Sequence, residues 1–148
     1  MAVVDDIDQI IRECSPFSMI QSERFAENIH FLMDLRLRQA TPHGGIVECG
    51  VWKGGMALAL TRIFGTDCSY SFFDSFEGLP PPSTNDGQDA HFWASHPEHP
   101  RNFENCRAEV EDFRTLLRTL RPKHNDINVV KGWFLDSLAN GLPVEVAF

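Results

Sequence analysis

The chain has 148 residues, 43% of them hydrophobic and 23% charged, which is the composition of one folded globular domain rather than of a disordered protein. The formal charge of -8 and the pI near 5.1 argue against sequence-independent nucleic-acid binding, because that needs clustered lysines and arginines. No apolar run approaches the roughly 20 residues that span a bilayer, and acids stand at the N-terminus where a secretory signal has bases, so we expect a cytoplasmic protein that does not bind membranes.

The four cysteines indicate neither a zinc site nor a redox pair. They are far apart in the sequence and form no C-x-x-C motif: Cys14, Cys49, Cys68 and Cys106. We predict four reduced thiols, most of them buried.

Residues 1–43 have the pattern of N-terminal helices. Val3, Ile7, Ile10 and Ile11 recur at helical spacing, and this first helix ends before Ser15. A second helix starts near Ser22, a plausible N-cap residue, and has an apolar face made of Phe25, Ile29, Leu32 and Met33.

Residues 44–148 alternate between strand-like and helical patterns. The strand-like runs are 46–50, 69–73, 127–131 and 144–148, and helices are predicted over 56–64 and, capped by Asn102, up to residue 120. A loop at 75–102 has no clear period and holds five prolines. Alternation of this kind predicts an α/β fold with a parallel sheet and ligands at the carboxyl ends of the strands, and we expect the strand order 3-2-1-4.

The turn after the first strand reads G-x-x-x-G-G and follows a carboxylate, Glu48. Such an acid would repel a pyrophosphate but attract the ammonium and sulfonium groups of S-adenosylmethionine. Trp52 stands where a dinucleotide phosphate would need room, and the G-x-G-x-x-G pattern is absent. The alternative is a tight turn with a solvated glutamate.

Asp74 closes the second strand, where an acid can accept hydrogen bonds from both ribose hydroxyls of a nucleoside. This position alone does not separate S-adenosylmethionine from NAD. After the third strand, Trp133 and Phe134 stand where an adenine ring lies in such folds, and they are equally compatible with ordinary core positions.

Three ordered segments, 46–55, 73–80 and 130–138, closely resemble motifs of the macrocin O-methyltransferase family. The resemblance implies a Rossmann-like class I methyltransferase fold, of which this chain holds the N-terminal half only. It also implies S-adenosylmethionine and a divalent metal, usually magnesium, as cofactors. The implied partner is a small molecule with an acceptor hydroxyl, which is a sugar or another natural-product unit. Family members also form homo-oligomers, so the resemblance implies a second copy of the chain as a partner.

The same resemblance implies which residues hold the cofactor. The methionine part would contact Glu48, Cys49, Gly50, Val51 and Trp52; the ribose side the segment from Asp74, Ser75 and Phe76 to Gly78; and the adenine Gly132, Trp133 and Phe134. Ser18 and Met19 resemble the family's N-terminal contribution to the same pocket.

The metal ligands implied by the family lie beyond this chain. In the family the fourth strand runs into a D-x-D-x-Y segment and the fifth ends in a D-D pair, whereas this chain ends at Phe148. No metal ligand is assigned, and we expect residues 1–148 to form a single partial domain that binds S-adenosylmethionine. Because the fourth strand would become an unpaired edge, we also expect an isolated chain of this length to be unstable or to self-associate.

The loop at 75–102 carries His91, His96 and His99 beside several acids, without the fixed spacing of a metal site. A solvated lid is the simpler interpretation. Because a family lid supplies substrate contacts and a general base, the resemblance makes His96 and Glu98 the candidate catalytic residues.

Two other functions are compatible with parts of this pattern. A stand-alone nucleoside-binding module would keep the cofactor pocket and perform no chemistry. An NAD-linked oxidoreductase would share the acid after the second strand, but the glycine pattern disfavours it.

Overall fold

The computed structural model describes residues 6–38, 45–100, 102–120, 126–139 and 141. In chain order the helices and strands are α1 (Ile7–Cys14), α2 (Ser22–Leu37), β1 (Gly45–Cys49), α3 (Gly55–Phe64), β2 (Ser69–Asp74), α4 (Gln88–Ser95), α5 (Phe103–Cys106), α6 (Val110–Leu120), β3 (Ile127–Lys131) and α7 (Phe134–Ser137). None of the helices in these ranges is long and apolar enough to cross a membrane.

The three strands form one parallel sheet in the order β1-β2-β3. Ile46 of β1 lies opposite Tyr70 of β2, and Phe72 of β2 lies opposite Val129 of β3. This arrangement agrees with the 3-2-1 part of the predicted order, while the expected fourth strand at 144–148 lies outside the described residues. Since all three strands run the same way, their carboxyl ends meet at one edge of the sheet.

The core is built around β2 and α3. Tyr70 and Phe72 of β2 are at most 1% exposed, and the Phe72 ring meets Phe113 of α6 edge-on at 5.7 Å between centroids. Leu58 and its neighbours on α3 are buried on every side of the helix, because α1, α2 and α6 all pack against it. Such a helix has no polar face, which explains its almost continuous apolar sequence.

The N-terminal helices agree with the predicted pattern apart from one cap. α1 ends at Cys14, followed by a 3-10 turn at Ser15–Phe17, and α2 buries Phe25, Ile29 and Met33. Ser22 is the first residue of α2 and not its N-cap; Gln21 holds the N-cap position and makes no side-chain capping bond. The burial of the apolar face therefore holds α2 in place without a side-chain cap.

The region between β2 and α6 differs from the sequence prediction in two ways. Residues 75–102 are not one structureless loop, because they contain α4. Asn102 caps α5, where its side chain accepts a hydrogen bond from the Asn105 amide, whereas α6 begins only at Val110. The prediction that Asn102 starts the long apolar helix was therefore wrong.

All four cysteines are free thiols, as the sequence predicts. Cys14 and Cys68 are buried, Cys106 is half-buried and Cys49 is exposed. The expectation that most of them are buried holds for two of the four.

Candidate functional site

A cavity of about 640 Å³ lies where the carboxyl ends of β1, β2 and β3 meet. We call it the strand-end cavity. Its lining residues come from the segment before α2 and from the chain after each strand: Met19, Gly50, Trp52, Asp74, Ser75, Gly78, Leu79, Pro80, Cys106, Trp133, Phe134 and Leu135. A volume of this size falls within the range of about 300–1,000 Å³ that small-molecule sites occupy.

Seven of the thirteen predicted cofactor-binding residues line this cavity. They are Met19, Gly50, Trp52, Asp74, Ser75, Trp133 and Phe134. The other six, which do not line it, are Ser18, Glu48, Cys49, Val51, Phe76 and Gly132. The three strand ends that the sequence pattern singles out are thus brought together by the fold.

The carboxylate of Asp74 accepts hydrogen bonds from the turn after β1 and from the chain after β2. Its Oδ2 accepts hydrogen bonds from the backbone amides of Val51, at 2.7 Å, and Trp52, at 2.8 Å. Its Oδ1 accepts one from the amide of Phe76, at 2.7 Å. A carboxylate has about four acceptor positions, so three backbone bonds leave little of its capacity for a ligand. In this structure Asp74 holds the turn after β1 and also lines the cavity.

Trp52 is the bulky residue of that turn, and it is held from two sides. Its indole Nε1 donates to the carbonyl oxygen of Arg107 at 3.1 Å, and its ring meets Phe103 edge-on at 5.7 Å. The residue is only 9% exposed and has a φ of 52°, an uncommon value for a residue with a side chain. These contacts place a rigid aromatic wall at the β1 end of the cavity.

Glu48 is a residue of β1 and is not among the lining residues of the strand-end cavity. Its Oε2 is closed off from solvent and has no hydrogen-bond partner among the described residues. Burial, and after it the negative charge of Asp74, raises the pKa of Glu48 to about 8. The side chain is therefore mostly a neutral acid at neutral pH, which differs from the alternative of a solvated glutamate.

Gly78 brings a second segment against the cavity. Its φ is 86°, and a Cβ at this position would lie 2.5 Å from the carbonyl oxygen of Asn105. The next residue completes the contact, because the Leu79 amide donates to that same oxygen at 2.9 Å and the Leu79 carbonyl accepts from Asn105 Nδ2 at 2.8 Å. Only a glycine permits this close approach.

The segment in contact with Gly78 is α5, a single helical turn. All four of its residues have positive φ, from 50° at Phe103 to 61° at Cys106, so the turn is left-handed. Such a conformation costs about 1–2 kcal/mol per residue with a side chain. The sequence analysis missed Cys106, which this turn places in the cavity wall.

The far end of the cavity is aromatic and open to solvent. Trp133 and Phe134 are 39% and 44% exposed, so they are not core residues, and Leu135 beside them is 87% exposed. The core interpretation of Trp133 and Phe134 is therefore wrong, and their role as an adenine wall stays a prediction. An exposed aromatic wall beside a cavity is suited to a flat apolar ring.

Gly78, the end of the predicted ribose segment, also lines the cavity. The sequence analysis did not assign Leu79, Pro80 and Leu135 to the cofactor, although all three line the cavity. A signal existed, because each lies inside one of the three recognised motif segments. Cys106 lies outside them, and no local pattern marks it.

Two of the three histidines of the predicted lid belong to an aromatic cluster. His96 stacks on Phe92 at 4.1 Å between centroids, and His99 meets Trp93 edge-on at 4.6 Å. Within the described ranges no group of three or more histidine, cysteine, aspartate or glutamate side chains is arranged to hold a metal ion. Neither His96 nor Glu98 lines the strand-end cavity.

With this geometry established, comparison with known proteins identifies the family. The family model for macrocin O-methyltransferase (TylF) matches residues 12–147, which is most of the chain. The chain is a member of the macrocin O-methyltransferase family. The match covers the strand-end cavity with all of its lining residues.

One solved structure among those that match is that of the O-methyltransferase NovP. The TM-score is 0.65 and the sequence identity 27%, over 86% of this chain and 52% of NovP. The chain therefore spans about half the length of NovP. No curated protein matches the sequence of this chain.

Proposed function

We propose that this chain carries the S-adenosylmethionine-binding half of an O-methyltransferase that acts on a hydroxyl of a sugar or another natural-product small molecule. The observation that carries the proposal is the convergence of three strand ends on one cavity, with the Trp52 turn at one end and Trp133 at the other. Family membership and the likeness to an O-methyltransferase support it.

Within this proposal the fold is a Rossmann-like class I methyltransferase fold with strand order 3-2-1-4. Residues 1–43 form the N-terminal helices and residues 44–148 the sheet domain with its lid. The parallel β1-β2-β3 sheet supports this assignment.

The cavity fits the cofactor in both chemistry and size. The methionine part would lie along Gly50 and Trp52, the ribose beside Asp74 and Ser75, and the adenine on Trp133 and Phe134. The cofactor supplies the electrophilic methyl group, so the task of the chain is to bind, orient and exclude water.

Proton removal from the acceptor hydroxyl needs a base, for which His96 and Glu98 remain the candidates. Nδ1 of His96 lies 2.7 Å from the carbonyl oxygen of Phe92. Because a carbonyl oxygen only accepts, Nδ1 carries the hydrogen in this pair, and the lone pair is on Nε2. The described residues offer no carboxylate set for magnesium, so no step here is assigned to a metal.

Titration of the purified chain with S-adenosylhomocysteine in a calorimeter tests the proposal, with NAD as the competing ligand. We expect S-adenosylhomocysteine to bind and NAD not to bind. Trp133→Ala removes the proposed adenine wall and should weaken binding about 3- to 10-fold, given that aromatic contacts of this kind contribute about 0.5–1.5 kcal/mol. Phe31→Ala, at an exposed aromatic residue of α2, is the matched control and should not change affinity.

A folded chain that melts cooperatively and does not bind S-adenosylhomocysteine would contradict the proposal. Preference for NAD would favour the oxidoreductase alternative. Methyl transfer from S-adenosylmethionine to a hydroxyl compound separates an enzyme from a binding module that performs no chemistry.

A further inference from the structure

The wall of the strand-end cavity includes one residue from the N-terminal part of the chain, Met19. Met19 is 38% exposed and belongs to no helix or strand, so its position depends on the segments on either side of it. α1 ends before it at Cys14, and α2 begins after it at Ser22. Contacts that fix the end of α1 therefore also fix this part of the wall.

We infer that the ion pair between Glu13 of α1 and Arg62 of α3 positions Met19 for the ligand of the strand-end cavity. Neither charged residue lines that cavity, so both would act on the ligand through Met19. The inference rests on the proposed function, because S-adenosylhomocysteine is the ligand with which it is tested. It adds two positioning residues that lie outside the cavity wall.

The ion pair joins a buried cation on α3 to the last turn of α1. Nη1 of Arg62 lies 2.5 Å from Oε2 of Glu13, and the Arg62 side chain is only 6% exposed. Oε1 of Glu13 accepts a second hydrogen bond, from Nε2 of Gln9 at 2.9 Å. The bond from Gln9, and after it the bond from Arg62, lowers the pKa of Glu13, so this side chain is a carboxylate at neutral pH. Because a buried guanidinium needs a compensating charge, Glu13 is held at a defined place on α3.

A second contact with α3 keeps the end of α1 close to that helix. Arg62 follows Gly55 by about two helical turns, so both residues lie on one side of α3. A Cβ on Gly55 would lie 2.6 Å from the carbonyl oxygen of Cys14 and 2.9 Å from Cβ of Ser18. The chain after α1 therefore cannot move towards α3, and the ion pair keeps it from moving away.

The connection from α1 to Met19 is short and stiff. Ser15–Phe17 form a 3-10 turn, which the Ser18 amide closes by donating to the Ser15 carbonyl at 3.0 Å. A proline in this turn fixes one of its backbone angles. Beyond the turn, Oγ of Ser18 accepts a hydrogen bond from the Ile20 amide at 3.2 Å, so the residues on both sides of Met19 are tied together. A displacement of the end of α1 would therefore displace Met19 as well.

The start of α3 is itself tied to the cavity wall. α3 begins at Gly55, directly after the turn that carries Gly50 and Trp52, and both of these residues line the cavity. Within that turn the Gly54 amide donates to the Val51 carbonyl at 3.0 Å. The contacts between α1 and α3 hence set the position of Met19 relative to Trp52.

A double-mutant cycle, measured by calorimetric titration of the whole chain with S-adenosylhomocysteine, tests the inference. Glu13→Gln keeps the size of the side chain and removes its charge, and we expect it to weaken binding about threefold or more, as does Met19→Ala. In the Met19→Ala background, Glu13→Gln should change the affinity by less than about 1.5-fold, because the residue through which it acts is already absent. In the Trp133→Ala background it should keep its full effect, since Trp133 lies at the other end of the cavity.

A control and a second variant keep the outcomes distinct. Glu111→Gln removes the exposed ion pair with Arg114 on α6 and should not change the affinity. Glu13→Asp, which keeps the charge and shortens the reach, replaces Glu13→Gln if the latter does not melt cooperatively, and the same dependence on Met19 is expected.

Unchanged binding by the Glu13 or the Met19 variant would overturn the inference and leave the proposed function intact. So would equal weakening by Glu13→Gln in the wild-type, Met19→Ala and Trp133→Ala backgrounds, which is the result of a merely structural role. A wild-type chain that does not bind S-adenosylhomocysteine would overturn the proposed function and this inference with it.

Discussion

The buried carboxyl of Glu48 gives a prediction that depends on the fold alone. Replacing it by glutamine keeps the shape of the side chain and removes its proton equilibrium. Oε2 of Glu48 has no hydrogen-bond partner in the described part of the chain, so the substitution breaks no contact at that atom. The comparison of wild type with Glu48→Gln therefore isolates the effect of one ionisation.

The sign follows from the pKa of about 8 in the folded chain against an ordinary value of 4.5. Between these two values the unfolded chain has lost the proton and the folded chain retains it, so rising pH favours unfolding. The slope is about 1.4 kcal/mol per pH unit. From about pH 5 to pH 8 the wild type should lose about 3–4 kcal/mol of unfolding free energy relative to Glu48→Gln, and the loss should level off above pH 8.

Urea unfolding followed by tryptophan fluorescence across this pH range measures the difference. Glu27→Gln, at an exposed residue of α2, is the control and should run parallel to the wild type. If Glu48→Gln also ran parallel to the wild type, the burial argument would be refuted.

Two further predictions concern the walls of the strand-end cavity. Asp74→Ala removes the acceptor of three backbone amides. Hydrogen bonds to a charged acceptor contribute about 1.5–3 kcal/mol each, and water would replace part of them. The substitution should therefore lower the unfolding free energy by about 2–4 kcal/mol. In calorimetry it should also weaken S-adenosylhomocysteine binding tenfold or more. Unchanged affinity in a folded variant would remove Asp74 from the site. Gly78→Ala should lower the melting temperature much more than Gly141→Ala. The φ angles are 86° and 84°, but only at Gly78 would the Cβ collide with a backbone oxygen, so equal losses would contradict the close approach.

The sheet and its functional edge could be predicted because their signal is local. Each strand is a short apolar run that ends in a recognisable motif. β1 ends in the turn that follows Glu48, β2 ends at Asp74, and β3 ends in the segment 131–133. Parallel pairing then brings the three ends together whatever the surrounding chain does. The sequence therefore predicts the position of the strand-end cavity.

α4 and α5 could not be predicted from the sequence, for two different reasons. α4 buries none of its residues, so it has no apolar stripe that a period could reveal. α5 is left-handed because distant segments hold it, through Leu79 on one side and the ring of Trp52 on the other. No pattern within Phe103–Cys106 indicates these partners.

For the candidate site, the sequence likewise predicts where a residue lies but not what its side chain contacts. The sequence places Asp74 at the end of a strand but does not show which groups it binds. Its amide partners depend on how the turn after β1 packs against β2. In that turn the Gly50 amide donates a hydrogen bond to the Phe73 carbonyl at 2.8 Å. Likewise, the sequence allows Trp133 to be core or cavity wall, and its exposure follows from the packing of the whole chain.

The left-handed turn of α5 has a consequence for how ligands come and go. Four residues held at positive φ raise the free energy of the closed arrangement by several kcal/mol. That stored energy makes α5 the segment expected to detach first in native-state fluctuations, well before the sheet unfolds. Because Cys106 of α5 lines the strand-end cavity, one such opening event would widen that cavity and admit solvent to it.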